Sequence, residues 1–354
     1  MRSHFLTLLP LLLFGVLASA EPVSIAPKEL RDALQPQLAV APSGKVHVVF
    51  GAGNTIYFTS SADGRTFRPP VKVAQLEKLA LRMRRGPRIV ATDGVIAITA
   101  ISHTTGTLHG WTSTDGGSSW KDSGALNTAA KSAREGLHAM AGDGLGLVAL
   151  AWLDLRSGST ELWSRISRDG GKSWAAESRV YASPDGHICE CCHPSIAVGP
   201  KGEIAAMWRN WLGGSRDMWA AISTDGGKTF PQPQKLGTGS WPLKGCPMDG
   251  GALTFDAAGA LATVWRREGT VYSATPGAAE TLLAATAQQP VVARGKNGVV
   301  IAYEKGGEVM LTTAGQPPKS IGKGRAPALA SNAAGICYLA WEGADGGLFL
   351  ERLP

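Results

Sequence analysis

The chain has 354 residues, 44% of them hydrophobic and 18% charged, with a formal net charge of +7, 45 Gly, 11 Trp and five Cys. That balance provides for a sizeable folded core and excludes a disordered chain. Its Lys and Arg are scattered, with no basic stripe interleaved with aromatics, which argues against nucleic acid as a partner. After the first 20 residues no run reaches the ~18 apolar residues of a membrane span.

Met1–Ala20 reads as a secretory signal, with Arg2 and His4 as a basic start, Leu6–Leu17 as the apolar run and Ala18-Ser19-Ala20 as a small-residue cleavage site. The expectation is a periplasmic or secreted protein that begins near Glu21, and residues 21–354 then read as a single domain. No cysteine follows the cleavage site to carry a lipid anchor.

From there a unit of short strands recurs seven times. Its opening strand is PQLAVA at Pro36, PRIVAT at Pro87, LHAMAG at Leu137, PSIAVG at Pro194, GALTFD at Gly251, PVVARG at Pro290 and PALASN at Pro327. Second strands follow after a short turn: KVHVVF, VIAITA, LVALAW, EIAAMW, LATVWR, VVIAYE and ICYLAW. These runs are Val- and Ile-rich and bounded by Gly, Pro, Asp and Asn, so they are strands and not helices. Third strands include TIYFTS, ELWSRIS, DMWAAIS, TVYSAT and EVMLTT. The linker Gln75–Gly86 is charged and helix-permissive, and is short enough to be an elaborated loop.

In the first four units the third strand runs into one eight-residue pattern. SRDGGKSW at Ser167 is matched by STDGGSSW at Ser113, STDGGKTF at Ser223 and the shorter SADGRTF at Ser61, at intervals of about 52 to 56 residues. Asp accepts bonds from nearby backbone N–H groups, Gly supplies positive φ, and the closing aromatic anchors the turn. The pattern resembles the Asp-box, or BNR repeat, of the sialidase-like β-propellers. The resemblance implies an all-β propeller of four-stranded antiparallel blades with the Asp-box between third and fourth strands. Seven blades of about 47 residues fit the repeats, with six as the fallback because sialidases have six. The last unit has three strands, so Pro22–Ala26 is expected to supply its fourth and remove an open edge.

In such a fold the loops between blades share one face and the Asp-boxes lie on the other, so chemistry is expected among the former. The most unusual of these loops is HICECCHP, His187 to Pro194, followed one blade later by GCPMDGG, Gly245 to Gly251. Thiolate, thioether and imidazole together favour a soft metal, copper as Cu(I) ahead of zinc. Cys191, Cys192, His193 and Cys246 are the first candidate ligands, with Cys189, His187 and Met248 in reserve. A structural alternative pairs Cys246 in a disulfide with one of the three, as an exported protein allows. A redox-active Cys189–Cys192 pair is a further one. Cys337, inside ICYLAW, reads as a buried apolar thiol.

The resemblance implies a second activity, sialidase-type glycoside hydrolysis, with arginines on the sugar carboxylate and a tyrosine nucleophile beside a carboxylate. Arg88, Arg209 and Arg266 occupy suitable positions, with Asp154, Tyr303 and Glu304 as the accompanying groups. Tyr303, however, stands where other units place Phe50, Trp152, Trp208, Trp265 and Trp341, which makes it a packing aromatic. His138 with Asp154 is a candidate acid–base pair. A third class, a scaffold for other exported proteins, fits any propeller face. The partners expected are therefore a small anionic or metal ligand, or an exported protein.

Overall fold

The computed structural model describes residues 21–353, and the expected secretory signal, Met1–Ala20, lies outside the described residues. Five separate four-stranded antiparallel sheets follow one another along the chain, opening with Leu34–Val40, Arg88–Ala91, His138–Gly142, Ser195–Val198 and Gly251–Phe255. Each is laid down in sequence order, so every connection within a sheet is a hairpin. Gln288–Arg352, joined by Val23–Ser24, makes a sixth sheet of seven strands. Within it, the 13-residue strand Lys319–Ser331 pairs with Glu308–Thr313 through its first half and with Cys337–Gly343 through its second. Two of the repeated units thus share one continuous strand. No helix long and apolar enough to cross a membrane occurs among the described residues.

Burial follows strand position. Second strands such as Val46–Ala52, Ile96–Ser102 and Val148–Asp154 are buried along their whole length, because both of their faces meet a neighbouring sheet. Their sequences are accordingly continuous apolar runs and not alternating ones. Fourth strands, such as Val71–Gln75 and Lys121–Ala125, lie at the rim and carry Lys, Asp and Gln. Opening strands contact those of the neighbouring units, and Leu34–Val40 touches both Arg88–Ala91 and Lys319–Ser331. Val23–Ser24 pairs antiparallel with Leu348–Arg352, so the outermost strand of the last unit is covered by the start of the chain.

The Asp-box turn after Glu161–Ser167 shows why its residues recur. Asp169 accepts from Ser167 Oγ at 2.8 Å, Ser173 N–H at 2.9 Å and Ser173 Oγ at 2.6 Å, while Gly171 N–H donates to Ser167 Oγ at 2.8 Å. Gly171 has φ +96°, and a Cβ there would come within 2.6 Å of Ala97 Cβ in the preceding unit. The same close approach joins Gly117 to Phe58, Gly227 to Ile166 and Gly64 to Tyr338. Each Asp-box is therefore both a turn and a joint to the sheet before it.

Candidate functional site

The loop that leads into Ser195–Val198 is stitched to sheets on both sides. Ile188 N–H donates to Thr160 O at 3.0 Å, and Cys189 N–H donates to Arg209 O at 2.9 Å, beside an isolated bridge between Ile188 and Asn210. Cys192 N–H then turns back to Cys189 O at 3.4 Å. That turn gathers three sulfurs. Cys189 Sγ lies 3.5 Å from Cys191 Sγ and 3.3 Å from Cys192 Sγ, and all three fall within 4.8 Å of one another. Cys189 and Cys192 are buried, and Cys191 is half-buried.

Arg216 completes the cluster, donating from Nη1 to Cys189 Sγ at 3.0 Å. It reaches there because the hairpin Ile204–Leu212/Ser215–Ser223 has nine-residue strands, two longer than the corresponding strands Val148–Asp154 and Glu161–Ser167. The extension places Trp211 opposite Arg216, with the guanidinium 4.9 Å from the indole centroid and the His187 ring, tilted by 56°, 4.3 Å from the same indole. Hydrogen bonds from Cys191 and Cys192, with Arg216 and Arg209 nearby, pull the Cys189 thiol far below its ordinary range. Bonding to Cys189 pushes Cys191 up, and burial pushes Cys192 up. The Cys189 sulfur is thus faced by Cys191 and Cys192 on one side and by the Arg216 guanidinium on the other.

The other anticipated ligands are not part of this group. Cys246 is exposed, and the segment before it is tied to the long hairpin through the Ser215–Pro242 bridge. No sulfur of the trio is bonded to it, and every cysteine is a free thiol. Met248 is exposed, and its carbonyl accepts from Gln289 Nε2 at 3.0 Å. His193 is buried, with Nδ1 accepting from Gly250 N–H at 3.2 Å, so that nitrogen serves as a joint between sheets.

The residues of the glycosidase reading are structurally engaged. Arg88 donates to the carbonyls of His138, Gly86, Pro87 and Arg84. Arg209 donates to Asp249 O, Arg216 O and Arg266 O. Arg266 donates to Pro247 O and pairs with buried Asp249 at 3.2 Å. Asp154 accepts from Trp152, Ser132 and Arg156, and burial that would raise its pKa is outweighed by these bonds. His138 instead meets Thr99 at 3.1 Å through Nε2. Burial raises the Tyr303 pKa, and Glu304 accepts from Ala326 N–H at 2.7 Å. Glu342, which follows Trp341 as Glu304 follows Tyr303, accepts from Gln35 N–H at 2.8 Å in the same way. A repeated carboxylate clasping the next unit explains Glu304 without chemistry.

Sequence reasoning missed Arg216 and Trp211, although the two extra residues per strand of the fourth hairpin were a visible signal.

Residues 91–241 match the BNR repeat-like domain. No curated protein matches the chain. Among solved structures, the chain is similar to the Penicillium chrysogenum α-L-arabinanase complexed with arabinobiose, at 14% identity and TM-score 0.54, over 95% of this chain and 98% of that one. It is also similar to the Ruminococcus gnavus intramolecular trans-sialidase in complex with oseltamivir carboxylate, at 12% identity and TM-score 0.56, over 96% and 98%. A catalytically inactive Staphylococcus aureus virginiamycin B lyase with quinupristin aligns at 10% identity and TM-score 0.56, over 94% and 99%. At such identities these likenesses establish the fold and leave the chemistry to the site. With its Asp-box turns, four-stranded units and this match, the chain carries a BNR repeat-like domain over residues 91–241 and has a β-propeller fold similar to that of the sialidases.

Proposed function

We propose that this is an exported binding protein for a soft metal ion, with Cu(I) as its ligand and Cys189, Cys191 and Cys192 as the donors. The observation that supports it is the convergence of three sulfurs within 4.8 Å. Three thiolates suit Cu(I), and the softness of the donors ranks Zn(II) after it. Arg216 at 3.0 Å from Cys189 offsets the charge that several thiolates accumulate, and it stands as an outer partner to the donor set. Cys246, Met248 and His187 on the same face are not needed for this reading.

A Cu(I) competition titration of the reduced protein tests it. One tightly held ion per chain is the expected result, weakened about a hundredfold or more in Cys191→Ser and about tenfold in Arg216→Ala. Affinity falls as pH drops, since protons compete for the thiolates. No uptake by the reduced protein overturns the proposal. A mature mass beginning at Glu21 checks the export part.

The sialidase-type hydrolase serves as the counter-reading. The backbone carbonyls held by Arg88 and Arg209 leave those side chains little to offer a sugar carboxylate. Release of sialic acid from a synthetic sialoside by the purified protein is the result that would favour it.

A further inference from the structure

A metal site explains three sulfurs in one place but not their unequal access. Cys189 is 1% exposed and Cys192 2% exposed, while Cys191 stands half-open at the rim. Cys189 is in contact with both of the others, at 3.5 Å to Cys191 and 3.3 Å to Cys192. The Cys192 N–H to Cys189 O bond closes a tight turn that holds the two buried thiols side by side. Arg216 donates to the Cys189 sulfur and supports negative charge there during attack or departure. A disulfide uses two sulfurs, so a trio in contact always leaves one free.

We propose that Cys191, Cys189 and Cys192 form a thiol–disulfide exchange relay that reduces accessible disulfides presented at the loop face. The inference concerns the same cluster but goes beyond metal binding and does not depend on it. Cys191 passes its proton to the Cys189 sulfur 3.5 Å away, and its own sulfur attacks one sulfur of a substrate disulfide. The substrate S–S bond breaks, one substrate thiolate leaves and takes up a proton, and a mixed disulfide forms on Cys191. Cys189 attacks the Cys191 sulfur, expelling the second substrate thiolate, which is protonated in turn, and forming a Cys189–Cys191 bond. Cys192 then attacks the Cys189 sulfur, breaking the Cys189–Cys191 bond and forming Cys189–Cys192, and its proton passes to the departing Cys191 sulfur, which returns as a free thiol. The substrate disulfide gains two electrons from the buried pair and two protons drawn from the cluster and from water. The relay leaves the accessible sulfur reduced after each oxidation of the buried pair.

The test uses the full-length, prereduced, metal-free protein with oxidised glutathione, quenched by alkylation and mapped by peptide mass spectrometry. The expected result is one internal disulfide per chain, Cys189–Cys192, with Cys191 and Cys337 still alkylatable after denaturation. Cys191→Ser slows its formation about tenfold or more, because the buried thiols lose their accessible intermediary. Cys192→Ser arrests the protein with oxidation confined to Cys189 and Cys191. Cys246→Ser leaves rate and product unchanged, which keeps the exposed outlying thiol out of the account. Glutathione resting stably on Cys191 with no bond inside the trio overturns the relay, as does undiminished bond formation in Cys191→Ser or a bond to Cys246. The copper titration on reduced protein is scored separately, so either proposal can fail while the other stands.

Discussion

Arg209 donates four hydrogen bonds, all of them to backbone carbonyls, and is 1% exposed. Its planar fork is what three converging carbonyls require, and an ammonium cannot replace it. Arg209→Ala should therefore cost about 3 kcal/mol or more in urea unfolding, with little recovered by Arg209→Lys. A loss below about 1 kcal/mol would mean that the freed carbonyls find other donors. The histidines make a second prediction at this scale. Burial lowers the pKa of His47 to about 3 and holds His138 and His193 well below their ordinary value. The unfolded chain then binds more protons below the ordinary histidine value of about 6.5, so stability falls as pH drops from there toward 3. Asp169 adds a lower window: burial opposes its ionisation, but Ser173 and Ser167 hold its pKa at about 2, so its contribution is lost as pH falls from about 4 to 2. Thermal midpoints across pH 7 to 2 should decline in both windows, and His138→Gln should flatten the upper one.

At the scale of the turn, Gly171 carries two demands at once, positive φ and a neighbour 2.6 Å from where its Cβ would stand. Gly158 shares the first demand, with φ +85°, but nothing lies within 4 Å. Gly158→Ala should cost about 1 kcal/mol and Gly171→Ala about 2 kcal/mol more, read as the difference in unfolding midpoints. Equal losses would show that the joint yields freely. The turn was legible in the sequence because its hydrogen bonds lie within four residues of Asp169. The joint was not, since Ala97 is 74 positions away from Gly171 and no local pattern names it. The same division holds at the site. Cys189, Cys191 and Cys192 could be read together because one turn contains them, whereas the Cys246 position depends on a segment tied to the neighbouring hairpin. The engagement of Arg88 and Arg209 was equally hidden, because a carbonyl acceptor can belong to any residue type.

For the whole molecule, the two ends of the chain meet in one sheet. Val23–Ser24 covers Leu348–Arg352, and Ile25 and Ala26 behind it are buried. A chain shortened to begin at Pro27 should expose that strand edge, lower the thermal midpoint and associate at high concentration, as seen by size-exclusion chromatography. A monomer of unchanged midpoint would count against any sealing role for this strand. Gln35 and Glu342 add a second tie between the ends, and Arg84 reaches across to Gln289 and Pro327.

The joints made by Gly64, Gly117, Gly171 and Gly227 all run backward, each to the preceding unit, with Gly64 of the first reaching Tyr338 of the last. A joint of constant direction makes the unit self-docking: a duplicated copy carries the glycine for its predecessor and the apolar wall for its successor. Gene duplication or loss can therefore add or remove whole units on this face, while the opposite rim remains free to acquire a loop such as HICECCHP.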